Sequence, residues 1–124
     1  MGNLYRFIEP VVLQLLLEKG TAHGYELAMA VARNQLTDSE VDRGAVYRTL
    51  RLLEEVGHVT SNWEIPDTGP ARRAYRLTES GLRHLEEWHQ VLERLSESLR
   101  RLVDEGRALM QRRGQPANRT QDGS

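Results

Sequence analysis

Beyond Thr78 the chain carries an apolar seam, Leu85, Trp88, Leu92, Leu95, Leu99, Leu102 and Leu109, whose members step by three and four residues in turn, with a break at Gly106. That spacing keeps side chains on one narrow stripe of an α-helix and is the pattern by which two helices pair along their length. A chain of 124 residues builds one modest core and cannot also wrap so long a helix. The seam therefore predicts a partner, and the simplest partner is a second copy of the same helix. Composition agrees: a hydrophobic fraction of 39% and a mean hydropathy of −0.60 are lean for a compact sphere and fit a chain that is partly extended.

The segment before the seam reads as a small domain. Glu9-Pro10 followed by Val11, Val12, Leu13, Leu15, Leu16 and Leu17, closed by Lys19-Gly20, predicts a helix with Pro at its first position and Gly at its stop. It is apolar almost all round and leaves only Gln14 and Glu18 for water, so a partner chain is its expected cover, with Leu13 and Leu16 at the interface. Thr21 caps a second helix, about His23 to Asn34, whose apolar surface comes from Tyr25, Leu27, Ala28, Val31 and Ala32. After a polar connection from Gln35 to Glu40, Asp42 caps a third helix that runs to about Val56 and stops at Gly57.

The third helix divides by face. At ~100° per residue, Ala45, Val46, Thr49, Leu50, Leu52, Leu53 and Val56 fall on one arc, while Arg43, Gly44, Tyr47, Arg48, Arg51, Glu54 and Glu55 fall on the other. Val59 to Ile65 then alternates as a strand, Pro66-Asp67-Thr68-Gly69-Pro70 is dense in turn formers, and Ala71 to Leu77 returns as a second strand with Arg72 and Arg73 near the tip. Thr78 caps the long helix. From Gly114 to Ser124 only Ala117 is apolar, and that stretch is expected to be a disordered tail. The reading is thus a mainly α chain with a β-hairpin: a winged helix-turn-helix over residues 1–77, a dimerisation helix over 78–113, and the tail.

Charge sharpens the functional reading. The formal net charge is −1, but residues 41–77 hold six Arg against five acids, whereas 1–40 hold three cationic and five acidic groups. Within the middle segment Arg43, Arg48 and Arg51 have no acid among them in sequence, and neither do Arg72, Arg73 and Arg76. A helix that buries one arc while presenting Arg43, Tyr47, Arg48 and Arg51 on the other suits the major groove of double-stranded DNA, where Arg forks onto guanine. Gly44 lets the helix start approach phosphate, and Arg72 and Arg73 add backbone or minor-groove contact.

Three blocks of the chain, His23-Gly24-Tyr25-Glu26-Leu27, Tyr47-Arg48-Thr49-Leu50-Arg51-Leu52-Leu53-Glu54-Glu55-Val56-Gly57, and Gly69-Pro70-Ala71-Arg72-Arg73-Ala74-Tyr75-Arg76-Leu77-Thr78-Glu79-Ser80-Gly81, resemble the PadR-like transcriptional regulators in order and spacing. The resemblance covers about residues 9 to 105. It implies a bacterial homodimeric regulator, usually a repressor, whose N-terminal helix packs on the partner's C-terminal helix. It also implies the shorter subgroup of the family, in which a small molecule binds between the subunits. Asp42-Arg43 stands where many members have Ser-Pro, and Ala45-Val46 replaces a more usual Ser-Leu, so base preference does not transfer.

Each singled-out residue has a plainer reading. Tyr47 packs against the base of the wing if it does not touch phosphate. His23 is expected to make a local hydrogen bond that fixes its turn, and Trp63 to pack between wing and helices. Trp88 fills the dimer core or, in the sharper reading, lines an aromatic effector site at the two-fold. His84, Glu87, His89 and Glu93 have helical spacings but make no single metal face. With no cysteine, thiolate metal sites and disulfides are excluded, and no phosphate loop or nucleophile motif suggests an enzyme or a cofactor. No apolar run approaches a membrane span and Met1 to Pro10 lacks the features of a signal peptide, so the expected location is cytoplasmic. The competing class is a dimeric winged-helix module that binds protein and never touches DNA.

Overall fold

In the computed structural model, residues 7–33 and 43–114 are described. They form helices α1 (Ile8–Lys19), α2 (Gly24–Arg33), α3 (Arg43–Glu55) and α4 (Glu79–Arg113), and strands β1 (Ala22–His23), β2 (Val59–Glu64) and β3 (Arg72–Leu77). The connection from Gln35 to Glu40, the Asp42 cap and nearly all of the C-terminal tail lie outside the described residues. The chain forms two compact units, one ending at Trp88 and one beginning at His89.

In the first unit β2 and β3 make the hairpin, pairing from Val59 opposite Leu77 to Glu64 opposite Arg72. β1 adds to the other edge of β3, Ala22 facing Tyr75 and His23 facing Ala74, so the sheet is antiparallel in the order β1-β3-β2. This third strand was not expected. Two residues are too few to show a period, and only the pairing with β3 makes them a strand.

The core joins Val12, Leu13 and Leu16 of α1, Leu27 and Val31 of α2, Val46, Leu50 and Leu53 of α3, Val59 of β2, Tyr75 of β3 and Leu85 of α4. Leu13, Leu16 and Leu85 are 0–1% exposed within this single chain. The expectation that a partner covers them is corrected: α2, α3 and the first turns of α4 close over α1 without help. What α1 leaves to solvent is Leu17, 53% exposed, beside partly buried Val11 and Leu15. The helix also starts two residues before Pro10, which sits in the first turn where a missing N–H costs nothing.

α3 ends in a Schellman arrangement. Gly57 adopts φ +87°, its N–H donates to the Glu54 carbonyl at 3.1 Å, and the His58 N–H donates to the Leu53 carbonyl at 2.8 Å. The same turn seats α4. The Thr78 hydroxyl donates to the Gly57 carbonyl at 2.7 Å and accepts from the Gly81 N–H at 3.0 Å, capping α4 as its sequence suggested. The Thr78 N–H donates to the His58 carbonyl at 3.2 Å. Gly81 is buried against that carbonyl so closely that a Cβ there would stand 2.0 Å from its oxygen.

The second unit is the distal stretch of α4, unbroken through Gly106. Along it Leu92 is partly buried, while Leu95, Leu99, Leu102 and Leu109 are 37–65% exposed. No helix among the described residues is long and apolar enough to cross a membrane.

Candidate nucleic-acid interface

α3 buries Ala45, Val46, Leu50 and Leu53, which holds it against the core, and leaves Arg43, Tyr47, Arg48 and Arg51 exposed, with Gly44 half-buried beside them. The inner arc is narrower than its sequence suggested: Leu52 and Val56, expected inside, are 62% and 64% exposed, and Thr49 is half-buried with its hydroxyl donating to the Ala45 carbonyl at 2.8 Å. Glu54, expected outside, is half-buried because the Ser61 hydroxyl donates to it at 2.6 Å.

The cationic face does not stand alone. The Arg43 guanidinium lies 5.3 Å from the centre of the Tyr25 ring, a cation–π distance, and its Nη2 approaches Met29 Sδ at 3.9 Å. Tyr25, counted with the apolar surface of α2 by its sequence, is 57% exposed. It is out of phase with the buried stripe of Gly24, Leu27, Ala28 and Val31, which is the signal that could have moved it to the outer face. The Tyr47 ring packs over Gly24, where a Cβ would come within 2.6 Å of Tyr47 Cε1. Gly24 is thus small because the start of α2 and the outer face of α3 meet there.

Arg72 and Arg73 open β3 at the mouth of the wing. Arg73 stacks over the Trp63 ring at 5.2 Å from its centre and reaches Glu54 Oε1 at 3.7 Å. Arg72 Nε stands 3.9 Å from Glu64 Oε1. These arginines have no acid near them in sequence, but the strand register sets Glu64 opposite Arg72. Trp63, expected to pack between wing and helices, is instead 61% exposed and carries Arg73 on its face. Together Tyr25, Tyr47, Trp63, Arg72, Arg73 and the His23 ring line one groove of about 660 Å³ between the start of α2, the outer face of α3 and the wing. Arg48 and Arg51 are exposed on α3 and do not line it. A groove with aromatic walls and guanidinium groups at its rim suits an anionic chain with flat substituents.

At its floor His23 makes more than the local bond expected of it. The His23 backbone N–H donates to Glu26 Oε1 at 2.9 Å, the reach-back half of a capping box at the start of α2. That backbone donor holds the Glu26 carboxyl below the usual carboxylate range, against the opposing effect of burial. The ring contacts Glu26 through Nδ1 at 2.9 Å and Glu64 through Nε2 at 2.7 Å.

A model of the transcriptional regulator PadR-like family matches residues 12–87, which span the helices, the sheet, this groove and the start of α4. The chain belongs to the PadR-like family of transcriptional regulators. Solved structures agree on the fold. A protein described as a potential transcriptional factor is 29% identical, with 90% of this chain and 96% of that one covered at a TM-score of 0.75. A PadR-like regulator from Bacillus cereus is 25% identical, with 81% and 94% covered at 0.67. Bacillus subtilis PadR in complex with operator DNA is 26% identical over 67% of this chain and 47% of that longer chain, at 0.58. No curated protein sequence gives a significant match.

Within the family fold, the residues expected to serve pairing and effector binding are placed as follows. Leu95, Leu99 and Leu102 are exposed, and Leu92 is partly so. Trp88 is partly buried on the edge of the core, its indole N–H donating to Glu9 at 2.8 Å and its ring edge-on to Phe7 at 6.4 Å. Glu9 also meets His84 Nε2, whose ring stacks on His58 at 4.2 Å between centres. Burial first, and then the charge of the His84 ring, hold the His58 imidazole below its ordinary pKa. His84 Nδ1 faces Glu87 at 3.4 Å. Among the described residues no three metal-ligating side chains come together.

Proposed function

We propose that the chain is a sequence-specific, DNA-binding repressor that acts as a homodimer. The observation that carries this reading is the division of α3, which spends Ala45, Val46, Leu50 and Leu53 on the core and presents Arg43, Tyr47, Arg48 and Arg51 outward beside the wing arginines. In this reading Arg48 and Arg51 address base edges and phosphates of the major groove, Gly44 lets the helix start approach the backbone, and Arg72 and Arg73 follow the phosphates beside it. The Bacillus subtilis relative crystallised on operator DNA supports the choice of ligand.

The apolar stripe of Leu92, Leu95, Leu99 and Leu102 supports dimerisation, since a single soluble chain rarely leaves so regular a row to water. A two-fold dimer presents two copies of α3 about 34 to 36 Å apart, so the operator is an approximate inverted repeat. Trp88, at the start of that stripe, is the residue beside which a flat effector would bind between subunits. Such an effector regulates only if it prefers one arrangement of the reading heads. The protein then acts in the cytoplasm, where its operator is.

The test is a mobility-shift titration against the region upstream of the protein's own gene at several salt concentrations. Binding that weakens steeply with salt is expected, and Arg48→Ala and Arg51→Ala are each expected to cost about 1 to 3 kcal/mol if they read bases, with the dimer intact by size exclusion. Affinity indifferent to salt would point instead to a protein-binding module, and dissociation of the dimer in either variant would show that the face was misassigned.

A further inference from the structure

Glu64, the last residue of β2, has two nitrogen partners at one oxygen. His23 Nε2 stands 2.7 Å from Oε1, and Arg72 Nε 3.9 Å from the same atom. The nearer partner is the last residue of β1, immediately ahead of α2, and the farther belongs to the wing itself. Glu64 therefore ties the wing to the helix-turn-helix through an imidazole, and its hold on the wing's own arginine is the looser one. We propose that His23 is a positioning residue for DNA binding: by occupying Glu64 it docks the wing at the mouth of the groove and keeps the Arg72 guanidinium available to a phosphate. This rests on the DNA-binding reading above.

Geometry makes His23 suited to the task. It is 20% exposed at the floor of the groove, and its backbone is pinned by pairing with Ala74. Both ring nitrogens face carboxylates, Glu26 on one side and Glu64 on the other. Without the ring, the nearest cation left to Glu64 is Arg72, directly across the hairpin in register. The carboxylate would then draw that guanidinium inward and neutralise it. Glu64 is 43% exposed and the pair is screened by water on that side, so loss of the ring is not expected to unfold the domain. The α2 start survives as well, because its bond to Glu26 comes from the His23 backbone N–H.

The experiment is fluorescence anisotropy of a labelled duplex carrying the region upstream of the protein's own gene, titrated from about 50 to 200 mM salt with the full-length dimer. His23→Ala is expected to bind roughly three- to tenfold more weakly at low salt, with the slope of log affinity against log salt shallower by about 0.9, the loss of one phosphate contact. His23→Ala with Glu64→Gln is expected to recover the wild-type slope, because the competing charge is gone. Arg72→Ala should give the shallower slope by itself, and His23→Ala added to it should change the slope no further. An unchanged slope in His23→Ala, or a lost slope that Glu64→Gln does not restore, overturns the proposal while leaving DNA binding in place. A wild-type protein that fails to bind the duplex at any salt sinks the DNA-binding reading first, and this inference with it.

Discussion

Replacing Gly81 by alanine sets two effects against each other, and the structure decides between them. In the interior of an exposed helix Gly→Ala stabilises by about 1 kcal/mol, because glycine gives up more backbone freedom on folding. Gly81, in the first turn of α4, is not such a site. Its Cβ would stand 2.0 Å from the His58 carbonyl oxygen and 2.8 Å from Leu77 Cδ1. The leucine tip can turn away, but the carbonyl belongs to the backbone and already accepts the Thr78 N–H. Relief needs a displacement of roughly an ångström, which strains a packed contact at about 1 to 3 kcal/mol. It also loosens the bonds from Thr78 to His58 and to Gly57, each contributing about 1 kcal/mol. After the gain in helix propensity is subtracted, a net loss of about 2 to 4 kcal/mol remains, a fall in Tm on the order of 10 °C. Thermal and urea unfolding at matched protein concentration measures it. Gly106→Ala is the control on the same helix: nothing lies within 4 Å of its added Cβ, so it should stabilise by up to about 1 kcal/mol. A Gly81→Ala protein as stable as wild type would show that α4 does not press on the turn as described.

Three further outcomes follow from the packing and the charges. Leu95→Glu, which puts a carboxylate into the proposed apolar seam, is expected to weaken the dimer by several kcal/mol, about what burying an unpaired charge costs; sedimentation at micromolar protein reads it, and an unaltered dimer would remove the seam argument. Stability should fall as the pH drops through the ordinary imidazole range near 6.5, because the folded protein resists protonation of His58 and the unfolded chain does not, so that contribution is complete above that range and diminishes below it. In urea titrations from about pH 7.5 to 5, His58→Gln should flatten that slope; an equal slope in wild type and variant would refute the assignment. Arg48→Ala and Arg51→Ala should leave folding stability within about 0.5 kcal/mol of wild type while weakening DNA binding, since both side chains are exposed.

The large features were legible in the sequence because they repeat. The three- and four-residue steps of the α4 seam, the caps at Thr78 and Gly57, and the face division of α3 each rest on local spacing that the fold preserves. What was hidden depends on neighbours far along the chain. Period shows which side of α3 faces inward but not how wide its cover is, so Leu52 and Val56 were placed inside and lie exposed. The all-round apolar α1 suggested a second chain over Leu13 and Leu16, whereas Leu27, Leu53 and Leu85 belong to the same intramolecular core. The groove suffered most. Spacing puts Tyr25 on the apolar surface of α2 and Trp63 between wing and helices, yet both are exposed, and the acids facing Arg72 and Arg73 come into view only when the hairpin register sets Glu64 opposite Arg72 and α3 brings up Glu54. The family likeness, by contrast, is visible in three short blocks, and the matched span of residues 12–87 contains all three and ends in the first turns of α4.

The joint at Gly57 and His58 also fixes where this chain tolerates being lengthened. One extra residue there would break the Schellman bonds, put Val59 on the wrong side of its strand and pull the seat from under Gly81, all at once. The wing loop, where Gly69 takes φ +101° with open space about it, has no such obligations to the core. A reporter peptide spliced between Asp67 and Pro70 should fold with the domain, and the same peptide at residue 57 should not.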